Sequence, residues 1–147
     1  MADRVVEGCG ALIYSADTRR YLFLLRGRGR YGNSWGLAGG KIEKGELPVD
    51  ALRREISEET GYDITGLKVT PIEKFTSDGG FAYHTFMIVT DQEFIPSLNH
   101  EHQGYCWVPL ERYPQPLHPG VWRTFKFTEI INKIKTIERQ RSASSVN

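Results

Sequence analysis

A chain of 147 residues, 39% hydrophobic and 25% charged, has the size and composition of one compact soluble domain with a real core. Its formal net charge of +1 supplies no global field for nucleic acid or an anionic membrane, and no apolar run is long enough to span a bilayer. The two cysteines, Cys9 and Cys106, are far apart in apolar stretches, which argues against a cysteine zinc site and for buried free thiols in a reducing cytoplasm.

Taken in order, the opening MADRVVEG lacks the apolar core of a signal peptide, so a cytoplasmic location is expected. Residues 4–15 (RVVEGCGALIYS) predict a strand, ADTRR a turn, and residues 21–26 (YLFLLR) a second strand, the two forming a hairpin at the core of a sheet. Residues 26–34 (RGRGRYGNS) are glycine-rich and basic. One reading is a loop whose Arg26, Arg28 or Arg30 meets phosphates through forked donors; the other is a solvated connector. Arg26 is the better fixed of the three, because it sits where the strand ends. In SWGLAGGKIE, Trp35 and Leu37 alternate with small residues, predicting a short strand that leads into Gly39–Gly40.

A helix is predicted between Pro48, suited to a first turn, and Gly61, suited to a left-handed cap. Val49, Leu52 and Ile56 recur at helical spacing and form one buried stripe. Glu55, Glu58 and Glu59 fall at i, i+3 and i+4, so their carboxylates converge near the helix C-terminus, where the macrodipole disfavours anions. Like-charge pairs at this spacing cost roughly 0.2–0.5 kcal/mol each on an isolated helix. A hard divalent cation would turn the penalty into a gain. The plainer alternative is a solvated acidic face with an Arg54–Glu58 surface pair.

Residues 64–78 and 81–90 flank Asp78-Gly79-Gly80 and predict an antiparallel hairpin. Phe75, Phe81, Tyr83 and Phe86 are candidates to stack on a base, although core packing is the commoner role for each. His84 shares the strand and fits a satisfied sheet-face histidine. In LNHEHQGYCWVPLERYPQPLHPG (residues 98–120), GYCWVPL predicts a late strand preceded by a loop bearing Glu101. His100 and His102 flank Glu101 and are expected to face solvent or stand behind the ligands of a hard metal. The proline-rich piece, with His118, is a candidate wall for a substrate cleft. One helix is predicted from Val121 to about Arg139, with Phe125, Ile130, Ile131, Ile134 and Ile137 on its buried stripe.

Residues 40 to 62, GKIEKGELPVDALRREISEETGY, resemble the signature of the Nudix hydrolases, G-x5-E-x7-R-E-U-x-E-E-x-G-U with U a bulky aliphatic. Gly40, Glu46, Arg54, Glu55, Ile56, Glu58, Glu59 and Gly61 match, while Tyr62 takes the place of the last aliphatic and Ala38 that of a common proline. The resemblance implies an α/β/α sandwich with a mixed sheet, one domain over residues 1–140, and a disordered tail over 141–147. It also implies hydrolysis of a phosphoanhydride in a nucleoside diphosphate linked to another group. Mg²⁺ or Mn²⁺ would be held by Glu55, Glu58 and Glu59, with Glu101 and the Gly40 carbonyl as further ligands. Arg54 would orient the carboxylates, Glu58 or Glu101 would accept the proton, and Glu46 would lie near the metals or support them through water. Arg26, Arg28, Trp35, Glu46 and Tyr83 are the candidate substrate contacts. The expected partner is a small-molecule nucleotide, with no membrane; a homodimer stays open. Residues 76–79 (TSDG) carry neither the Pro nor the Tyr that marks the ADP-ribose and dinucleoside polyphosphate subclasses, which tilts the substrate toward (deoxy)nucleoside triphosphates. Two alternatives are an RNA 5′-end pyrophosphohydrolase, which needs a basic groove from the Arg26–Arg30 loop, and a non-catalytic nucleotide-binding module.

Overall fold

The computed structural model describes residues 6–146, with side chains as far as Arg141. The first strand, β1 (Val6–Ser15), hairpins into β2 (Arg20–Arg26) through the register Tyr14 to Tyr21. Arg4 and Val5, expected in the first strand, lie outside the described residues. The single short strand expected before the helix is two: β3 (Trp35–Gly36) pairs with β2, and β4 (Ala38–Lys41) pairs with β1. Leu37 is the crossover, because no one strand could satisfy both ladders at once.

Helix α1 (Pro48–Thr60) begins at its proline and ends on Gly61 at φ 75°, whose amide donates to the Ser57 carbonyl. Strands β5 (Val69–Thr76) and β6 (Phe81–Thr90) form the expected antiparallel hairpin, with β5 starting only after the turn at Gly66. Pro71, which cannot donate to a ladder, is tolerated because β5 is an edge strand with a bulge at that point. Strand β7 (His102–Val108) begins and ends two residues earlier than expected; Pro109 cannot extend the ladder, and Leu110 enters a 3₁₀ turn.

The expected C-terminal helix is interrupted. Helix α2 (Pro119–Phe125) stops before Phe127, and α3 (Thr128–Val146) starts anew from the Phe127 carbonyl. The apolar positions explain the break: Phe125 to Ile130 is a step of five, which one continuous helix cannot keep on a single stripe. Arg123 and Thr124 bind Glu73 on β5, at 3.0 and 2.8 Å, and pin α2 in its own orientation. Helix α3 runs on to Val146 through residues expected to be a tail, for no Gly or Pro interrupts it; Asn147 lies outside the described residues.

The sheet is mixed, in the order β3-β2-β1-β6-β5, with β4 also on β1 and β7 also on β2; only β1 and β6 run parallel. Strand β1 is covered on both faces, which is why it reads as a nearly unbroken apolar run. Cys9, Ala11 and Ile13 join Ala51, Leu52 and Ile56 of α1 in one core cluster. Leu12 and Tyr14 join Val121 of α2 and Ile134 of α3 in the other. The result is the expected α/β/α sandwich. Both cysteines are free; Cys9 is fully buried, and burial pushes its thiol up to about 11, while Cys106 is only half-buried. No helix among the described residues is long and apolar enough to cross a membrane.

Candidate active site

Helix α1 packs its last two turns against the glycine strand β4. A Cβ on Gly39 would lie 2.0 Å from the Cys9 carbonyl oxygen, and one on Gly40 only 2.4 Å from the Glu55 carboxyl carbon. Gly40 therefore lets the Glu55 carboxylate of α1 lie against the strand, and Gly39 lets β4 close on the backbone of β1. Glu59, at the end of the buried face, accepts a 2.7 Å hydrogen bond from the Gly39 amide.

Arg54 organises the outer half of this surface. Its Nε and one terminal nitrogen grip both oxygens of Glu46 at 2.9 Å, the fork-on-fork geometry that arginine suits. The other terminal nitrogen bonds Glu55 at 3.0 Å and stands 3.5 Å from Glu58, and the Lys41 carbonyl takes a further bond at 3.0 Å. The Arg54 hydrogen bond holds the Glu46 carboxyl down at about 2, and Glu46 in turn raises the guanidinium further above its ordinary value.

The inner half is electrostatically different. The Glu59 side chain is 4% exposed and has one hydrogen-bond donor, the Gly39 amide. Burial pushes its pKa up to about 9; the Gly39 amide opposes the shift, and the carboxylates of Glu101 and Glu55 add to it. Glu55 is also raised, by burial first, with Arg54 opposing and Glu58 and Glu101 adding. One ligand atom each of Glu59, Glu101 and His102 lies within 4.8 Å of the others. Glu101 sits just ahead of β7, its amide bonded to the Asn99 side chain and its carbonyl to the Gly27 amide, so the acidic turn is stitched to the glycine-rich loop.

Of the two places expected for His102, the structure excludes solvent: its side chain is 7% exposed, with Nδ1 3.8 Å from Glu59. That nitrogen is buried without a hydrogen-bond partner. Burial lowers its pKa, with Glu101 opposing and Arg26 adding. This donor set fits a divalent cation, since a buried carboxylate and an orphaned buried lone pair are each costly alone.

The remaining candidates are spread around this centre. Arg26 ends β2 opposite His102, and Arg28 lines an open hollow of about 410 Å³ with Gly27, Gly29, Gly32, Asn33 and Gln103. Trp35 is turned away from the glutamates and packs against the core cluster on the α2–α3 face. The Tyr83 ring lies over Gly8 and Gly10 of β1. His84 bonds Glu7 at 2.7 Å, the satisfied sheet-face histidine expected. His118 caps α2 by accepting from the Gly120 amide, and its ring meets Tyr31 edge-on at 4.6 Å.

The NUDIX domain model matches residues 6–129. The chain belongs to the Nudix family. It is 31% identical over 118 residues to the nucleoside triphosphatase NudI of Salmonella arizonae, covering 73% of this chain and 77% of that one. Among solved structures, a MutT NUDIX hydrolase from Burkholderia pseudomallei superposes with a TM-score of 0.65 at 26% identity, over 82% of this chain and 95% of the other. The Nudix hydrolase RenU of M. smegmatis gives 0.74 at 20% identity, over 90% and 87%, and supports the fold. The chain is thus a hydrolase of the Nudix type, and Glu55, Glu58 and Glu59 lie in the segment that carries the family signature.

Proposed function

We propose that this Nudix hydrolase cleaves a phosphoanhydride of a (deoxy)nucleoside triphosphate, with Mg²⁺ or Mn²⁺ held by Glu55, Glu58, Glu59, Glu101 and the Gly40 carbonyl. The observation that carries the reading is the meeting of Glu59 and Glu101, from two separate elements, near Glu55 of α1, which lies against Gly40. The triphosphatase name of the Salmonella relative supports the substrate class and favours it over the RNA 5′-end and binding-module alternatives.

A divalent cation bound there would neutralise charge on the phosphates and make a water more acidic. The chain supplies the rest. Arg54 keeps Glu55 and Glu58 turned toward the centre, a positioning role that depends on its grip on Glu46. Glu58, with a side chain 54% exposed, and Glu101, also exposed, are the two carboxylates open to accept the proton of an attacking water. Arg26 at the end of β2 and Arg28 on the loop that follows are the side chains to receive phosphate oxygens.

The test is phosphate or pyrophosphate release from a panel of (d)NTPs, 8-oxo-dGTP, ADP-ribose, a dinucleoside polyphosphate and a 5′-triphosphorylated RNA. It is run with Mg²⁺ or Mn²⁺ and with EDTA, beside Glu58→Gln and Glu101→Gln. Metal-dependent release from the nucleoside triphosphates, lost in the variant lacking the proton acceptor, is the expected result. Silence across the panel while nucleotide still binds would move the protein to the binding-module class.

A further inference from the structure

His102 reaches the carboxylates through an irregularity in the sheet. Counting back along β7 from Trp107, which packs with α1, strict alternation puts Tyr105 and Gln103 on the α1 face and His102 on the opposite one. The ladder with β2 breaks that count. Leu24 faces Tyr105 and Leu25 faces Gly104, but Arg26 faces His102, so Gln103 is an extra residue in the ladder. Such a bulge redirects the side chains beyond it, and here it turns His102 onto the face of α1. Gln103 helps hold the distortion, for its side-chain nitrogen donates to the Arg26 carbonyl at 3.1 Å and to the Asn33 side chain at 2.6 Å.

The imidazole delivered this way is over nine-tenths buried, and its Nδ1 has no hydrogen-bond partner. The 3.8 Å to Glu59 Oε2 is too long for a hydrogen bond, yet short enough for one cation to be shared between the two atoms. A histidine with only a structural role would be expected to satisfy that nitrogen. Building on the function proposed above, we propose that His102 Nδ1 is itself a metal ligand, completing a Glu59–Glu101–His102 site. A nitrogen donor among carboxylates shifts preference from Mg²⁺ toward first-row transition ions such as Mn²⁺ and Co²⁺, because imidazole binds them more strongly than it binds Mg²⁺.

The experiment is electron spin-echo spectroscopy of Mn²⁺ bound to the full chain, with Mn²⁺ and Mg²⁺ affinities measured in parallel. The proposal predicts a ¹⁴N coupling that converts to ¹⁵N on histidine labelling and vanishes in His102→Gln. The ratio of Mn²⁺ to Mg²⁺ affinity falls about tenfold in that variant, a change typical of a disturbed metal shell. If His102→Gln does not fold, a chain with His84, His100 and His118 all changed to Gln replaces it, and the coupling must persist. Mn²⁺ bound with no nitrogen coupling, or a coupling that survives in His102→Gln, overturns the proposal while leaving metal-dependent hydrolysis intact. A wild-type chain that binds no Mn²⁺ and shows no metal-dependent turnover overturns the proposed function as well.

Discussion

Arg54 and Glu59 lie on the same short helix and are built on opposite plans. Every nitrogen of Arg54 finds an oxygen, on Glu46, Glu55 or the Lys41 carbonyl, so the outer network is complete within the protein. Glu59 is more deeply buried and has one donor, beside an imidazole nitrogen that has none. A region satisfied by its own side chains is scaffold. A buried region that keeps a carboxyl protonated and leaves a lone pair without a partner is arranged for something added from outside, because that arrangement costs stability until it is relieved.

The contrast breaks first at Glu59. Glu59→Gln should cut kcat by about a hundredfold or more, since disturbing even the outer partners of a metal costs about 10–100-fold. In EDTA its Tm should equal or exceed that of the wild type, because the buried carboxyl is a liability without a cation. A lowered Tm in EDTA would show Glu59 to be scaffold too. Arg54→Gln should do the reverse, lowering Tm in EDTA and slowing turnover about 10–100-fold as Glu55 and Glu58 swing free. Arg54→Lys should not rescue it, for an ammonium cannot grip both oxygens of Glu46 while reaching Glu55.

Gly40→Ala sharpens the comparison from the strand side. Its methyl group would fall 2.4 Å from the Glu55 carboxyl carbon, so overpacking of about 1–3 kcal/mol should appear in denaturant melts, together with weaker Mn²⁺ binding. The smallest effect is a pH slope. The Glu59 pKa rises from an ordinary 4.5 to about 9 on folding, so over that window the unfolded chain releases a proton that the folded chain keeps. Stability without metal should therefore fall as pH rises between those values, then level off. Calorimetry in EDTA reads the slope, and Glu59→Gln should flatten it.

The fold was largely legible in the sequence because its signals are local. Pro48 and Gly61 mark the ends of α1, the turn at Asp78-Gly79-Gly80 joins β5 to β6, and the apolar stretches before and after ADTRR give the β1–β2 hairpin. The errors came where pairing with distant segments decides. Leu37 divides β3 from β4 because β2 and β1 each claim one part, and the step from Phe125 to Ile130 separates α2 from α3.

The site divides the same way. The convergence of Glu55, Glu58 and Glu59 follows from helical spacing, whereas the grip of Arg54 on Glu46 spans the turn before the helix and appears only in three dimensions. Glu46 and Trp35, considered as substrate contacts, are respectively held by Arg54 and packed into the core. The face on which His102 lies could not be read. Alternation along β7 sends it to the wrong face, and the bulge that reverses it is written in the register with β2.

The most direct measurement is nucleoside triphosphate hydrolysis by the wild type and Glu59→Gln, run beside calorimetric titration of Mn²⁺ into each. The account predicts that tight Mn²⁺ binding and turnover are present together in the wild type and lost together in the variant. Turnover that persists in EDTA, or in Glu59→Gln after Mn²⁺ binding is gone, would contradict it.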